Sequence, residues 1–249
     1  MCNMFSVNLA RNEFIFNQRF IKLVPRFERL ATAAVDPSAY VRYQFPKISK
    51  VDDSICNRRE RFDSSFTVVP DIISRDEESW LVSEIEKSLK RLRYQQDHWD
   101  DAIHGYRETE ITAWKDPNNT SIIQRLKDQI FANGSTEPMQ RVHILDLCKN
   151  GYVKPHVDSI RFCGNIIAGL SLLSDSIMRL ADEKYPDIYT VYALLPRRSL
   201  YIMKDDVRYK YTHEILSDGI PSLFDDKHIV RQRRISIVMR NEPPVDNVG

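Results

Sequence analysis

Val142-His-Ile-Leu-Asp-Leu147, Ile166-Ile-Ala-Gly-Leu-Ser-Leu-Leu173, Ile188-Tyr-Thr-Val-Tyr-Ala-Leu-Leu195, Ser199-Leu-Tyr-Ile-Met203, Val207-Arg-Tyr-Lys-Tyr211 and Arg234-Ile-Ser-Ile-Val-Met239 follow one another through the second half of the chain. Each is short and rich in β-branched and aromatic residues. Several alternate apolar with polar side chains, the period of a half-buried strand. Breakers such as Pro196 and Asp205-Asp206 separate them. Before residue 140 the period is helical. Ser74-Arg-Asp-Glu77 is a capping box, and Trp80, Leu81, Ile85, Leu89 and Leu92 follow at helical spacing. Acids open that segment and Lys87, Lys90, Arg91 and Arg93 close it, matching the helix dipole. A second amphipathic helix is expected from about Ser121 to Phe131, entered from Asn118-Asn119-Thr120. Helices first and short strands after argue for an α+β, mainly β architecture. The expected form is an antiparallel sandwich or jelly roll supported by N-terminal helices on one side.

A chain of 249 residues buries one sizeable core plus appendages. Its formal net charge of +1 argues against holding nucleic acid by bulk electrostatics, though a local basic groove remains compatible. Cys2, Cys56, Cys148 and Cys163 lack C-x-x-C spacing, which argues against a zinc ribbon and for reduced thiols in an intracellular compartment. No apolar run reaches the roughly 20 residues that cross a bilayer. From Met1 to Leu30 the bases Arg11, Arg19, Lys22, Arg26 and Arg29 stand against Glu13 and Glu28, with Phe14, Phe16, Phe20 and Leu23 among them. A basic amphipathic lead of this kind reads either as a mitochondrial transit segment or as a surface helix. Residues 31–64, with Pro37 and Pro46 among polar and charged residues, read as an irregular lead into the domain.

Chemistry concentrates in an ordered set: His156-Val-Asp158, His213, then Arg234 and Arg240. Two histidines and one carboxylate on a common face, with coordination positions left open, suit a non-haem Fe(II) centre. Arg234 and Arg240, six residues apart on the last strand, share a face with Ser236 and Val238. An arginine pointing into a barrel is costly unless paired, so this face calls for an anion, such as the carboxylate of an acidic co-substrate. A second H-x-D triplet, His98-Trp-Asp100, lies in Asp97–Glu108. That stretch reads as further metal ligands, as a packed aromatic loop, or as a substrate-side loop. In the last reading Trp99, Tyr106 and Arg107 are available to stack on a base. Lys227, Arg231 and Arg233 form either a basic rim or a solvated edge.

Gly151-Tyr-Val-Lys-Pro-His-Val-Asp-Ser-Ile-Arg-Phe-Cys-Gly164, Ala168-Gly-Leu-Ser-Leu-Leu173, Tyr211-Thr-His-Glu-Ile-Leu216 and Arg233-Arg-Ile-Ser-Ile-Val-Met-Arg240 together resemble the AlkB family of Fe(II)- and 2-oxoglutarate-dependent dioxygenases, its mitochondrial members most of all. The resemblance covers roughly residues 65 to 242 and implies a mitochondrial transit segment at 1–30, a catalytic domain at 65–242 and a tail at 243–249. It implies a double-stranded β-helix in which His156, Asp158 and His213 bind Fe(II). It implies that Arg234 holds the distal carboxylate of 2-oxoglutarate, that Tyr201 donates a hydrogen bond to it, and that Ser236 and Arg240 complete the motif. O2 is the co-oxidant. The activity implied is oxidative demethylation of methylated RNA, tRNA in particular, in the mitochondrial matrix; the alternatives are oxidation of a protein or small-molecule target in fatty-acid metabolism or regulated necrotic cell death, and a non-catalytic scaffold on the same fold. The family's Arg-x-Asn-x-Thr-x-Arg is here Arg234-Ile-Ser236-Ile-Val238-Met-Arg240. Ser159-Ile-Arg-Phe162 stands where repair members carry acids, and their Asn-x-Tyr has no match near Leu145-Asp-Leu147.

Overall fold

The computed structural model describes residues 39–45, 53–97, 101–132, 136–217, 224 and 229–244, all within a unit spanning Asp36–Gly249. Its elements are β1 (Val41–Gln44), α1 (Asp53–Ser65), β2 (Phe66–Val69), α2 (Arg75–Leu89), β3 (Gln95–Asp97), β4 (Ile103–Ile111), α3 (Pro117–Phe131), β5 (Val142–His156), β6 (Ile166–Leu172), β7 (Ser176–Asp182), β8 (Thr190–Leu195), β9 (Leu200–Lys204), α4 (Asp205–Lys210), β10 (Tyr211–Ile215) and β11 (Arg234–Arg240). The strands form one curled antiparallel sheet in the order β1-β8-β7-β10-β5-β11-β6-β9-β2, with the β3–β4 hairpin on β5. This is the jelly roll expected from the strand pattern.

Strand β5 sets the geometry of everything that follows. Its first half pairs with β11, Leu147 opposite Arg234, and its second half with β10, His156 opposite His213. One 15-residue strand thus ties both walls of the half-barrel together. Strand alternation then sorts side chains into two apolar layers. Inside the curl lie Leu145, Leu147, Val153, Ile167, Met178, Leu180, Tyr201 and Val238. Outside, Ile235, Ile237 and Met239 of β11 and Ala168, Leu170 and Leu172 of β6 pack against Leu81, Ile85 and Leu89 of α2 and Ile122, Leu126 and Ile130 of α3. Each fully buried Leu or Ile contributes roughly 1.5–3 kcal/mol, so the two helices are held chiefly by this layer.

Helix α2 starts as its sequence requires: Ser74 Oγ accepts from Glu77 N at 3.2 Å, and Ser74 N donates to Glu77 Oε2 at 2.7 Å. Helix α3 begins earlier than expected. Asp116 is the N-cap, its Oδ1 accepting from Asn118 N at 2.9 Å, and Pro117 occupies the first turn, where it loses no hydrogen bond. Two expectations are corrected. Val207–Lys210 is helical, with Asp205 and Asp206 in the first turn and Arg208 and Lys210 in the last; only Tyr211 continues as strand. Residues 31–64 are not wholly irregular. β1 pairs with β8, and Phe62 of α1 is buried in the inner layer at 1 % exposure. The first 30 residues lie outside the described ones. Among the described residues, no helix is long and apolar enough to cross a membrane.

Candidate metal centre and co-substrate pocket

His156 ends β5, Asp158 follows it by two residues, and His213 sits opposite His156 on β10. Asp158 Oδ1 lies 3.3 Å from His156 Nε2 and 3.7 Å from His213 Nε2, and one ligand atom from each residue falls within 4.8 Å of the others. Ligands about 2.1 Å from a common ion, at near right angles, stand about 3 Å apart, so the set has the dimensions of a divalent metal site. His156 Nδ1 lies 2.9 Å from the Lys154 carbonyl. A carbonyl only accepts, so Nδ1 carries a proton and Nε2, beside Asp158, is the atom a metal would take.

Charge in this triad is divided by burial and neighbours. Burial penalises the Asp158 carboxylate, but the Arg240 guanidinium and the His156 hydrogen bond win and hold it well below the usual range. His213 is pushed down to about 3, first by burial and then by the neighbouring His156, so it stays neutral. Burial pulls His156 down, yet its hydrogen bond to Asp158 and that residue's charge raise it overall. Each of these is the protonation state that a metal ligand set needs, apart from the displaceable proton on His156.

Six residues apart on β11, the two inward arginines part company. Arg240 donates to Asp158 Oδ2 from Nε at 2.9 Å and from Nη2 at 2.7 Å, so its anion is the metal-side carboxylate. Of the two arginines, Arg240 thus finds its anion within the protein. Arg234 is 1 % exposed and donates to Ser171 Oγ at 2.9 Å, while its Nε has no partner. Burial lowers its pKa to about 10. A buried cation short of a carboxylate is costly, and the shortfall marks where an anionic group fits. Ser236 and Tyr201 flank it, and burial raises the Tyr201 pKa, so the phenol remains a donor. Gly169 lies directly across from Tyr201 in the sheet. A Cβ there would meet the Tyr201 ring at 2.3–2.6 Å, so only glycine lets the ring lie flat across β6.

His156, Asp158, His213, Tyr201, Arg234, Ser236 and Arg240 therefore line one cavity of about 80 Å³, with Leu145, Val153, Met178 and Val238 as its apolar wall. The substrate-side expectations fare differently. Tyr106 is buried at 1 % exposure and donates to Gln95 Oε1, so it offers no stacking face. Arg107 turns to the other face of β4, donating to buried Asp146 at 2.7 Å and to the Leu89 carbonyl. Trp99, His98 and Asp100 lie outside the described residues, as does Lys227. Arg233 is tied to Asp146, and Arg231 is buried against backbone carbonyls, so neither forms a basic rim. The sequence reading passed over His143, which lines the cavity with its Nε2 2.8 Å from Glu108 Oε2. A polar residue on the inward face of Leu145 and Leu147 was the available signal.

No protein-family model matches the chain. Two proteins named alpha-ketoglutarate-dependent dioxygenase alkB homolog 7, mitochondrial, are each 46 % identical to it. The cattle protein aligns over 183 residues, 74 % of this chain and 81 % of its own; the mouse protein over 176 residues, 71 % and 78 %. Among solved structures, OsALKBH1 superposes with a TM-score of 0.50 at 12 % identity, covering 72 % of this chain and 97 % of its own. A prolyl-4-hydroxylase of Pseudomonas putida gives 0.52 at 12 % identity, covering 72 % and 93 %. The structural likenesses give the fold, and the identity shared with the animal proteins over most of both chains gives the kinship: the chain belongs to the AlkB family of Fe(II)- and 2-oxoglutarate-dependent dioxygenases.

Proposed function

We propose that this dioxygenase works in the mitochondrial matrix and removes N-methyl groups from RNA, tRNA in particular. In this reading His156, Asp158 and His213 hold Fe(II), and Arg234 holds the distal carboxylate of 2-oxoglutarate with Tyr201 and Ser236 beside it. The carrying observation is that three converging ligand atoms share a cavity with a buried arginine whose Nε lacks a partner. The basic lead at residues 1–30 would be the transit segment, in keeping with the mitochondrial names of the animal relatives.

Fe(II) held by His156, Asp158 and His213, with 2-oxoglutarate held by Arg234, would supply the oxidation, O2 and 2-oxoglutarate together giving succinate, CO2 and one oxygen atom for a substrate C–H bond. Hydroxylation at an N-methyl carbon gives a hemiaminal that releases formaldehyde. The chain's own residues prepare this step. Lys154 fixes the His156 tautomer, Arg240 keeps Asp158 ionised and turned, and Arg234 sets the co-substrate's depth. The apolar wall of Leu145, Met178 and Val238 excludes water. Phe162, 73 % exposed and four residues after Asp158, supplies an aromatic face beside Arg161 for an unpaired base. A protein or small-molecule target is the second reading, favoured because Tyr106 and Arg107 are occupied elsewhere in the fold.

Anaerobic addition of Fe(II) and 2-oxoglutarate tests the site through the visible band of their chelate. Wild type should show it, His156→Ala should lose it, and Arg234→Met should need roughly 100-fold more 2-oxoglutarate, the loss of about 3 kcal/mol of charged hydrogen bonding. An unchanged band in both variants would sink the assignment. Formaldehyde released from methylated tRNA, with salt-sensitive binding, supports the RNA reading. Its absence alongside turnover on a peptide or metabolite supports the second.

A further inference from the structure

Arg208 is one of the largest fully buried side chains, 2 % exposed, and among the described residues no carboxylate pairs with it. Its donors go instead to one loop. Nη1 donates to the Asp158 carbonyl at 2.8 Å, Nη2 to the Ser159 carbonyl at 3.3 Å, and Nε to the Gly164 carbonyl at 3.1 Å. The Cys163 Sγ lies 3.1 Å from Nη2 and in turn donates to the Ser159 carbonyl at 3.5 Å. The loop so gripped begins at a proposed iron ligand and exposes its tip, Ile160 at 50 % and Phe162 at 73 %. Burying a guanidinium among carbonyls is costly, and a solvent-exposed loop needs no such anchor merely to remain folded.

Position in the chain adds a second observation. Arg208 lies on α4, which runs without a break into β10, and five residues later the chain places His213. One short segment therefore both holds the main chain at Asp158 and supplies another ligand. Arg240 holds the same aspartate from the far side, through its carboxylate. Asp158 is fixed at both ends, backbone and side chain, by the buried Arg208 and the partly buried Arg240 from different elements.

We infer that Arg208 is a positioning residue for the metal centre: it sets the direction of the Asp158 carboxylate by clamping that residue's own carbonyl, and couples it to His213 through α4. The inference rests on the proposed ligand set. Groups that orient a ligand without touching the metal affect affinity by roughly 10- to 100-fold when removed.

The test is the dissociation constant for Mn(II) alone, followed by its paramagnetic resonance signal, beside the melting temperature of the metal-free protein. Arg208→Met should weaken Mn(II) by roughly 10- to 100-fold. Arg208→Lys, which keeps the charge and reaches a single carbonyl, should fall between. Arg58→Met, which breaks the Arg58–Asp182 pair away from the pocket, should lower the melting temperature and leave Mn(II) affinity unchanged. Wild-type affinity in a folded Arg208→Met overturns the inference. If that variant does not fold, wild-type affinity in Arg208→Lys overturns it equally. Asp158→Asn separates the two claims. Mn(II) binding lost there but kept in Arg208→Met defeats the positioning role alone, whereas Mn(II) binding kept in Asp158→Asn defeats the ligand assignment beneath it.

Discussion

His156 and His213 lie opposite each other on paired strands, their ring centroids 4.3 Å apart, yet they respond to protons in opposite senses. His213, depressed to about 3, is neutral when folded and takes up a proton near pH 6.5 when unfolded. Its contribution is complete above that value and is lost as pH falls toward the folded one. His156 is raised, so its contribution is complete below pH 6.5 and is lost as pH rises through its folded value. The two partly cancel in wild type. Comparison with His213→Asn isolates one of them: between pH 7 and 5 the metal-free wild type should lose about 2 kcal/mol more than the variant in urea unfolding. Parallel pH profiles would show that His213 titrates in the fold as it does in the unfolded chain. The three converging side chains of the proposed metal site and both pocket arginines stood out in sequence because their types and order are unusual together. Arg208 was not. Its partners are carbonyls 44 to 50 residues away, and a carbonyl has no sequence signature.

Among the elements, strands with clean alternation and flanking breakers were readable, and those without were not. β7 is buried at almost every position, so Ile177, Met178, Leu180 and Ala181 carry no period. β4 bends at Gly105, whose φ of 61° and shifted register break the pattern. Val207-Arg-Tyr-Lys-Tyr211 alternates like a strand but folds as a turn of helix. Val207 and Arg208 are adjacent and both buried, which breaks the two-residue period of a strand, and a single turn is too short for a helical period to register. Strand pairing also yields a test. Gly169→Ala on β6 forces the Tyr201 ring of β9 to move. The variant should stay folded by circular dichroism and bind 2-oxoglutarate about 10-fold more weakly, the loss of one hydrogen bond. Unchanged affinity would remove Tyr201 from the co-substrate's contacts.

The whole molecule begins its sheet well before the boundary that composition suggests. A chain starting at Asp36 should melt cooperatively, whereas one starting at Ser65 loses β1 from the sheet edge and Phe62 from the inner layer. The shorter chain should be less stable by on the order of 3–5 kcal/mol, read from chemical denaturation; equal stability would make α1 and β1 dispensable. β11 shows how thoroughly the two layers depend on each other. Arg234, Ser236, Val238 and Arg240 face the cavity, and Ile235, Ile237 and Met239 face the helices. Inserting or deleting one residue anywhere in that strand exchanges the two sets beyond the lesion, driving a guanidinium into the apolar layer and an isoleucine into the pocket. Point changes at a single position of β11 can be absorbed, but a change of length cannot. Natural variation among relatives should therefore place its gaps in the segment leading to β11 and keep the seven-residue count of the strand itself.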